Sequence, residues 1–121
     1  MFKEVLQRAL DNTEGCFGVL IMGTDGIPVE KVWQPDSTAT NLDVAVAEYT
    51  SLLKSVKRTN KEMGLGRLEE VILATESGIF ILRFVSEDYF IAIVLSVSGN
   101  FGRARYELRR AELLLEKELA I

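Results

Sequence analysis

The sequence predicts a single α/β (α+β) domain over residues 1–121, folded as an α/β/α sandwich around a five-stranded antiparallel sheet. Apolar residues recur at helical spacing near both termini and in the middle of the chain. Five apolar runs are separated by short turns, except where the middle helical segment lies between the second and third runs. A hydrophobic content of 48% in 121 residues supplies one core and excludes intrinsic disorder.

The chain opens with a predicted helix followed by a hairpin. Residues 2–12 carry one apolar stripe, which is typical of an amphipathic helix. The run 16–23 is apolar on both faces and predicts a buried strand, and Asp25-Gly26 then predicts a tight turn. The return strand covers 27–33, and we expect it at a sheet edge because Pro28 cannot donate a ladder hydrogen bond.

The second part of the chain is a long helix, three strands and a last helix. A loop over 34–41 precedes the long helix, which Thr40 or Asn41 can cap and which we expect to end near Met63, at Gly64 and Gly66. The remaining segments are strands over 67–76, 79–85 and 89–97 and a helix over 103–119 that Asn100 caps.

The lengths of these elements predict the strand order 2-1-5-4-3. A helix of roughly 22 residues spans about 33 Å, whereas five strands span about 19 Å between the outer two. The long middle helix can therefore cross one face of the sheet from edge to edge. The two terminal helices are expected to cover the opposite face.

The composition excludes many kinds of enzyme. The chain has no histidine and one cysteine, so it cannot form a Ser-His-Asp triad, an imidazole metal site or a Cys-x-x-Cys redox pair. We expect Cys16 to be a buried structural thiol. Paired carboxylates at Glu69-Glu70 and Glu87-Asp88 do not converge, and the glycines at 99 and 102 form no nucleotide motif. We expect no catalytic activity, no cofactor and no metal.

The charge and hydropathy patterns exclude further classes of partner. A net charge of −4 is a poor match for nucleic acid, whose binding depends on neutralising phosphates. The N-terminal segment carries Lys3, Glu4 and Arg8 among its apolar residues, unlike a signal peptide. No apolar run approaches the roughly 20 residues that cross a bilayer. We therefore expect a cytoplasmic protein without membrane insertion.

Several segments together resemble the roadblock (dynein light-chain roadblock) domain family, in particular its bacterial MglB-like branch. They are the hairpin over 18–32, the Met63-Gly64-Leu65-Gly66 break, the two aliphatic strands that follow it, and the Asn100-Phe101-Gly102 turn into an arginine-rich helix. The resemblance covers nearly the whole chain. It implies a homodimer joined through strand three and the long helix, and binding of a Ras-like small GTPase without an active site.

The long helix is expected to divide into two sides. The first side would face the sheet and includes Val46, Tyr49, Leu52, Leu53, Val56 and Met63. The opposite side begins with small residues, which would allow close approach of another chain: Val44, Ala47, Ser51 and Ser55. It continues with a basic stripe of Lys54, Lys57, Arg58 and Lys61, interpreted either as a surface for an acidic partner or as an ordinary solvated face.

Strand three would be an apolar edge strand, which is prone to aggregation unless another strand pairs with it. We therefore predict a dimer interface, with Glu69 and Glu70 as an alternative protection of the edge. The predicted dimer interface comprises Val44, Ala47, Ser51, Val71, Leu73 and Thr75, and the predicted GTPase-binding residues are Ala47, Ser51, Lys54, Ser55 and Arg58.

The last helix carries its arginines first and its glutamates last, with Tyr106 and Leu113 on its outward side. A second partner surface is one interpretation of this pattern. Packing of both side chains against the first helix is the simpler one, and it is the one we expect.

Two functions remain open from the sequence. The first is a homodimer that modulates the GTP cycle of a Ras-like GTPase, with stimulation of hydrolysis as the expected effect. The alternative is a dimeric adaptor that docks signalling or motor complexes. The identity of the GTPase, the choice among stimulated hydrolysis, stimulated exchange and scaffolding, and pairing with a paralogue are not determined by the sequence.

Overall fold

The computed structural model describes residues 1–35 and 42–119, and within them it has three helices and five strands. The elements are α1 (Phe2–Asp11), β1 (Cys16–Gly23), β2 (Pro28–Trp33), α2 (Leu42–Glu62), β3 (Glu70–Ala74), β4 (Ile79–Phe84), β5 (Tyr89–Leu95) and α3 (Phe101–Leu119). The predicted order of elements is confirmed. The predicted caps Thr40 and Asn41 lie outside the described residues.

The five strands form one antiparallel sheet in the predicted order β2-β1-β5-β4-β3. Pro28 pairs with Met22 in the edge strand β2, beside an irregular register between Ile21 and Met22. This position tolerates proline because an edge strand has one side without ladder partners. At the other edge, β3 pairs only with β4 among the described strands.

The edge strand β3 is shorter than the predicted strand over 67–76. Glu70 pairs with Arg83, so residues before Glu69 would extend beyond the end of β4 at Phe84. At its other end, the amide of Thr75 donates to the Gly78 carbonyl at 2.9 Å and closes the turn into β4. The strand is therefore limited to five residues by the length of its neighbour and by this turn.

The helices cover both faces of the sheet, as predicted. On one face α1 and α3 form a core with the sheet, in which Leu6, Leu108 and Leu115 are fully buried. On the opposite face Val46 and Leu53 of α2 belong to a second core with β1, β4 and β5. Neighbouring residues of β5 alternate between the two cores, which explains why its sequence is apolar without interruption.

Local signals in the sequence define the turns. Gly26 has φ +90°, and the Asp25 carboxylate accepts a hydrogen bond from the Ile27 amide at 3.0 Å, so the predicted hairpin turn is confirmed. Asn100 caps α3, because its side-chain oxygen accepts from the Arg103 amide at 3.0 Å. None of the helices within residues 1–35 and 42–119 combines the length and the apolar character that crossing a membrane requires.

Candidate interaction surface

α2 contacts the sheet along one narrow line of side chains. Val46, Thr50 and Leu53 are buried, with exposed fractions of 0%, 6% and 7%. Their spacing of four and three residues places them above one another on the helix. Lys57 continues this line, since its Nζ lies 4.3 Å from the centre of the Phe84 ring. The ammonium group of Lys57 therefore lies at the C-terminal end of the buried line of α2.

The predicted sheet-facing side of α2 is wrong for Leu52 and Met63. Leu52 is 60% exposed and Met63 is 65% exposed. Tyr49 is also exposed, although its ring lies 5.4 Å from the ring of Phe80. The apolar stripe is wider than the side that touches the sheet. The part of the stripe that the sheet does not fully cover consists of the exposed Tyr49 and Leu52 and the half-buried Val56, and we call it the outer arc of α2.

The small residues of α2 do not all face outward. Ala47 is half-buried against the core on the α2 face, and a Cβ added at Gly26 would lie 3.5 Å from the Cβ of Ala47. Ala47 thus faces the β1–β2 turn, which corrects its expected position on the outward side. Ser51 and Ser55 are exposed as expected. The side chain of Val44 lies outside the described residues.

The basic stripe of α2 is exposed except at Lys57. Lys54, Arg58 and Lys61 point to solvent, whereas Lys57 is half-buried over Phe84. A cleft of about 490 Å³ lies at the end of this stripe and is lined by Lys57, Lys61, Arg67, Leu68, Phe84 and Glu87 among others. An exposed row of cations on a helix can attract an acidic partner surface.

Part of the sheet beside α2 is not fully covered by the described residues. Val71 and Leu73 of β3 face the α2 side and are half-buried, and Trp33 and Val94 are half-buried on the same face. This partly covered area adjoins the outer arc, because Tyr49 contacts Phe80, the neighbour of Leu73 in the sheet. A continuous apolar surface therefore reaches the edge strand.

Two other side chains at the edge strand have different surroundings. Thr75 is exposed, but its hydroxyl group donates to the Gly78 carbonyl at 2.8 Å and so belongs to the turn. Ile72 is 42% exposed on the face opposite to Val71 and Leu73.

Leu52 on α2 was missing from the predicted site, and so was Ile72 on the other face of β3. The alternation of β3 contained the signal for Ile72, whereas helical periodicity alone placed Leu52 in the core.

An ion-pair network ties the edge strand to α3. The Glu70 carboxylate accepts two hydrogen bonds from Arg105, at 3.0 Å from Nε and 2.8 Å from Nη2. These bonds are the main reason why the pKa of Glu70 lies below its ordinary value, although burial opposes the shift. Arg83 contacts both Glu70 and Glu112. The exposed edge strand is therefore fixed to the helix behind it.

Cys16 is buried, with an exposed fraction of 3%. Burial raises the pKa of its thiol to about 12, against a smaller lowering effect of backbone hydrogen bonding at Gly18. The expected structural role of this thiol agrees with its surroundings. Across residues 1–35 and 42–119, no three acidic or cysteine side chains cluster as ligands of a metal would.

A model of the Roadblock/LC7 domain matches residues 2–95 of this chain. The structure is also similar to MglC from Myxococcus xanthus, with 32% sequence identity, a TM-score of 0.70 and coverage of 98% of both chains. The predicted family resemblance is confirmed by these two findings.

Two MglB structures share the fold at lower identity. A gliding protein MglB from Thermus thermophilus is 17% identical with a TM-score of 0.86, over 96% of this chain and 86% of that one. An MglB structure described as having a tetrameric arrangement is 18% identical with a TM-score of 0.87, over 96% of this chain and 85% of that one. The predicted α/β fold is therefore one that MglB also adopts.

Proposed function

This chain belongs to the Roadblock/LC7 family, and from that premise we propose that it is a cytoplasmic homodimer that binds a Ras-like small GTPase and modulates its GTP cycle. It would do so without a catalytic site of its own. The observation that carries the proposal is the apolar surface formed by the outer arc of α2 and the half-covered sheet beside β3.

A second copy of the chain would complete this surface. β3 offers an unpaired edge among the described strands, and an unpaired apolar edge favours association with another strand. In a two-fold arrangement each copy contributes the same patch, so the outer arc of one copy would cover the half-buried Val71 and Leu73 of the other. The tetrameric arrangement of a related MglB structure supports self-association of this fold.

The same helix offers a polar surface for a different protein. Ser51 and Ser55 alternate with Lys54 and Arg58, and all four are exposed. In a dimer joined at β3, both copies of α2 would lie on one face of the extended sheet. The two basic stripes would then form one positively charged platform that attracts an acidic protein surface. This local positive charge stands out because the chain as a whole has a net charge of −4.

The binding test uses purified Ras-like GTPases of the same organism, loaded with GDP or with a non-hydrolysable GTP analogue. We expect retention of one GTPase and its loss in Ser51→Arg, because arginine would obstruct the platform. Ser98→Arg is the matched control, since Ser98 is an exposed serine in the turn before α3. Equal binding by both variants would contradict the platform on α2.

A single-turnover GTP hydrolysis assay separates the regulator from the adaptor. The regulator changes the hydrolysis or exchange rate of the bound GTPase, whereas an adaptor binds and leaves both rates unchanged. Absence of binding and of any rate change with every tested GTPase would overturn the proposed function.

A further inference from the structure

The outward side of α3 is exposed, contrary to the expected packing of Tyr106 and Leu113 against the first helix. Tyr106 is 56% exposed and Leu113 is 50% exposed. With Gly102, Arg109 and Glu116 they follow one another at alternating spacings of four and three residues. We call this line the outer ridge of α3. Such spacing forms a straight contact line for another helix.

The charges of α3 are ordered against the helix dipole. Four arginines precede three glutamates along the helix, although the dipole favours the reverse order; Glu107 and Lys117 are the exceptions. The charged residues concerned are Arg103, Arg105, Arg109 and Arg110, followed by Glu112, Glu116 and Glu118. Three of these arginines have carboxylate partners in their own chain: Arg103 pairs with Glu107 at 2.8 Å, Arg105 with Glu70 at 2.8 Å and Arg109 with Glu112 at 2.9 Å. Arg103 and Arg105 remain about half exposed, with side-chain exposed fractions of 42% and 50%.

We propose that the outer ridge of α3 pairs antiparallel with the same ridge of a second copy. A helix with a basic first half and an acidic second half is complementary to itself only in the antiparallel orientation. With the two-fold axis near Arg109, Tyr106 of each copy meets Leu113 of the other. Glu116 of each copy then meets the basic start of the opposite helix, around Arg103 and Arg105. Each contact occurs twice because the interface is isologous.

The two copies of Arg109 lie near each other at the two-fold axis of this interface. Arg109 is already bound to Glu112, which in turn contacts Arg83. Glu112 is 6% exposed and lies beneath the ridge, so each Arg109 at the axis is already held by a carboxylate of its own chain.

This interface does not depend on the edge-strand dimer or on GTPase binding. α3 packs on the sheet face opposite to α2, so both contacts can exist in one assembly. Two edge-strand dimers joined through their α3 ridges would contain four chains. If the edge-strand dimer did not form, pairing through α3 would still give two chains.

The test is the dependence of mass on concentration, measured by sedimentation equilibrium from about 10 μM to about 1 mM, the range expected for a small interface. We expect the wild-type mass to double over this range. Leu113→Lys weakens this step at least about tenfold, since two apolar contacts are lost at once. The control Leu114→Lys changes a leucine that is 46% exposed on the flank of the helix, and it leaves the step unchanged.

Charge reversal tests the antiparallel orientation. Glu116→Arg places two new cations against the basic halves and weakens the step, whereas Glu118→Arg, an exposed residue off the ridge, has little effect. High salt weakens the wild-type step but not the edge contact. A constant wild-type mass, or equal behaviour of Leu113→Lys and Leu114→Lys, would overturn the α3 interface. Loss of GTPase binding alone would concern only the proposed function.

Discussion

Substitution of Leu52 by serine tests the outer arc of α2 as a dimer contact. Full burial of a leucine side chain stabilises by about 1.5–3 kcal/mol. Leu52 keeps 60% of its surface exposed in one chain. A partner that covered this surface would therefore gain about 1–2 kcal/mol, and two-fold symmetry doubles the gain to about 2–4 kcal/mol. The dimer dissociation constant is expected to rise roughly 30- to 1,000-fold.

Sedimentation equilibrium at micromolar concentration measures this change. We expect a mass near that of one chain, 13.5 kDa, for Leu52→Ser under conditions where the wild type is dimeric. The matched control is Ile27→Ser, because Ile27 is 63% exposed in the β1–β2 turn. Thermal unfolding of the monomeric variant shows whether the fold is retained. A dimer of unchanged affinity in Leu52→Ser, or a wild type that stays monomeric, would refute the role of the outer arc.

Three further changes follow from individual contacts. Asn100→Ala removes the bond to the Arg103 amide and should lower the free energy of unfolding by about 1 kcal/mol, measured by urea titration with Ser98→Ala as control. Cys16, with its thiol pKa of about 12, should resist iodoacetamide at neutral pH until the protein is denatured, and native labelling at the rate of a free thiol would contradict its burial. Glu70 contributes stability through its lowered pKa above about pH 5, and this contribution is lost as the pH falls. The stability difference between wild type and Glu70→Gln should thus shrink in acid, and a difference independent of pH would contradict the role of Arg105.

The sheet could be predicted from the sequence because several independent signals, each within a short segment, indicate the same strand order. Asp25-Gly26 specifies one turn, Pro28 marks one edge, and the length of the middle helix decides which strand is reached next. Within the sheet, the errors were confined to the ends of strands. β3 is shorter than expected because its pairing depends on where β4 ends, which no residue of β3 itself encodes.

The orientation of α2 could not be predicted in the same way. Periodicity reports that a side of a helix is apolar, and it does not report what covers that side. Val46 and Leu52 belong to one wide stripe in the sequence, yet one is buried against the sheet and the other is exposed. The position of Ala47 beside Gly26 likewise depends on a turn in a distant part of the sequence, a contact that helical periodicity does not reveal.

Two of the errors in helix burial bear directly on the proposed contacts. Leu52 on α2 and Leu113 on α3 were both expected inside the domain, and both are exposed. Single exposed leucines are ordinary, but Leu52 lies between Tyr49 and Val56 in the outer arc of α2, and Leu113 shares the outer ridge of α3 with Tyr106. Hydrophobic patterning reflects every surface that is buried in the working assembly, including surfaces that a second chain buries. Leu52 and Leu113 follow a pattern that predicts burial, but a single chain does not bury them. Burial by a second chain would explain this, and the association experiments on Leu52→Ser and Leu113→Lys test that explanation.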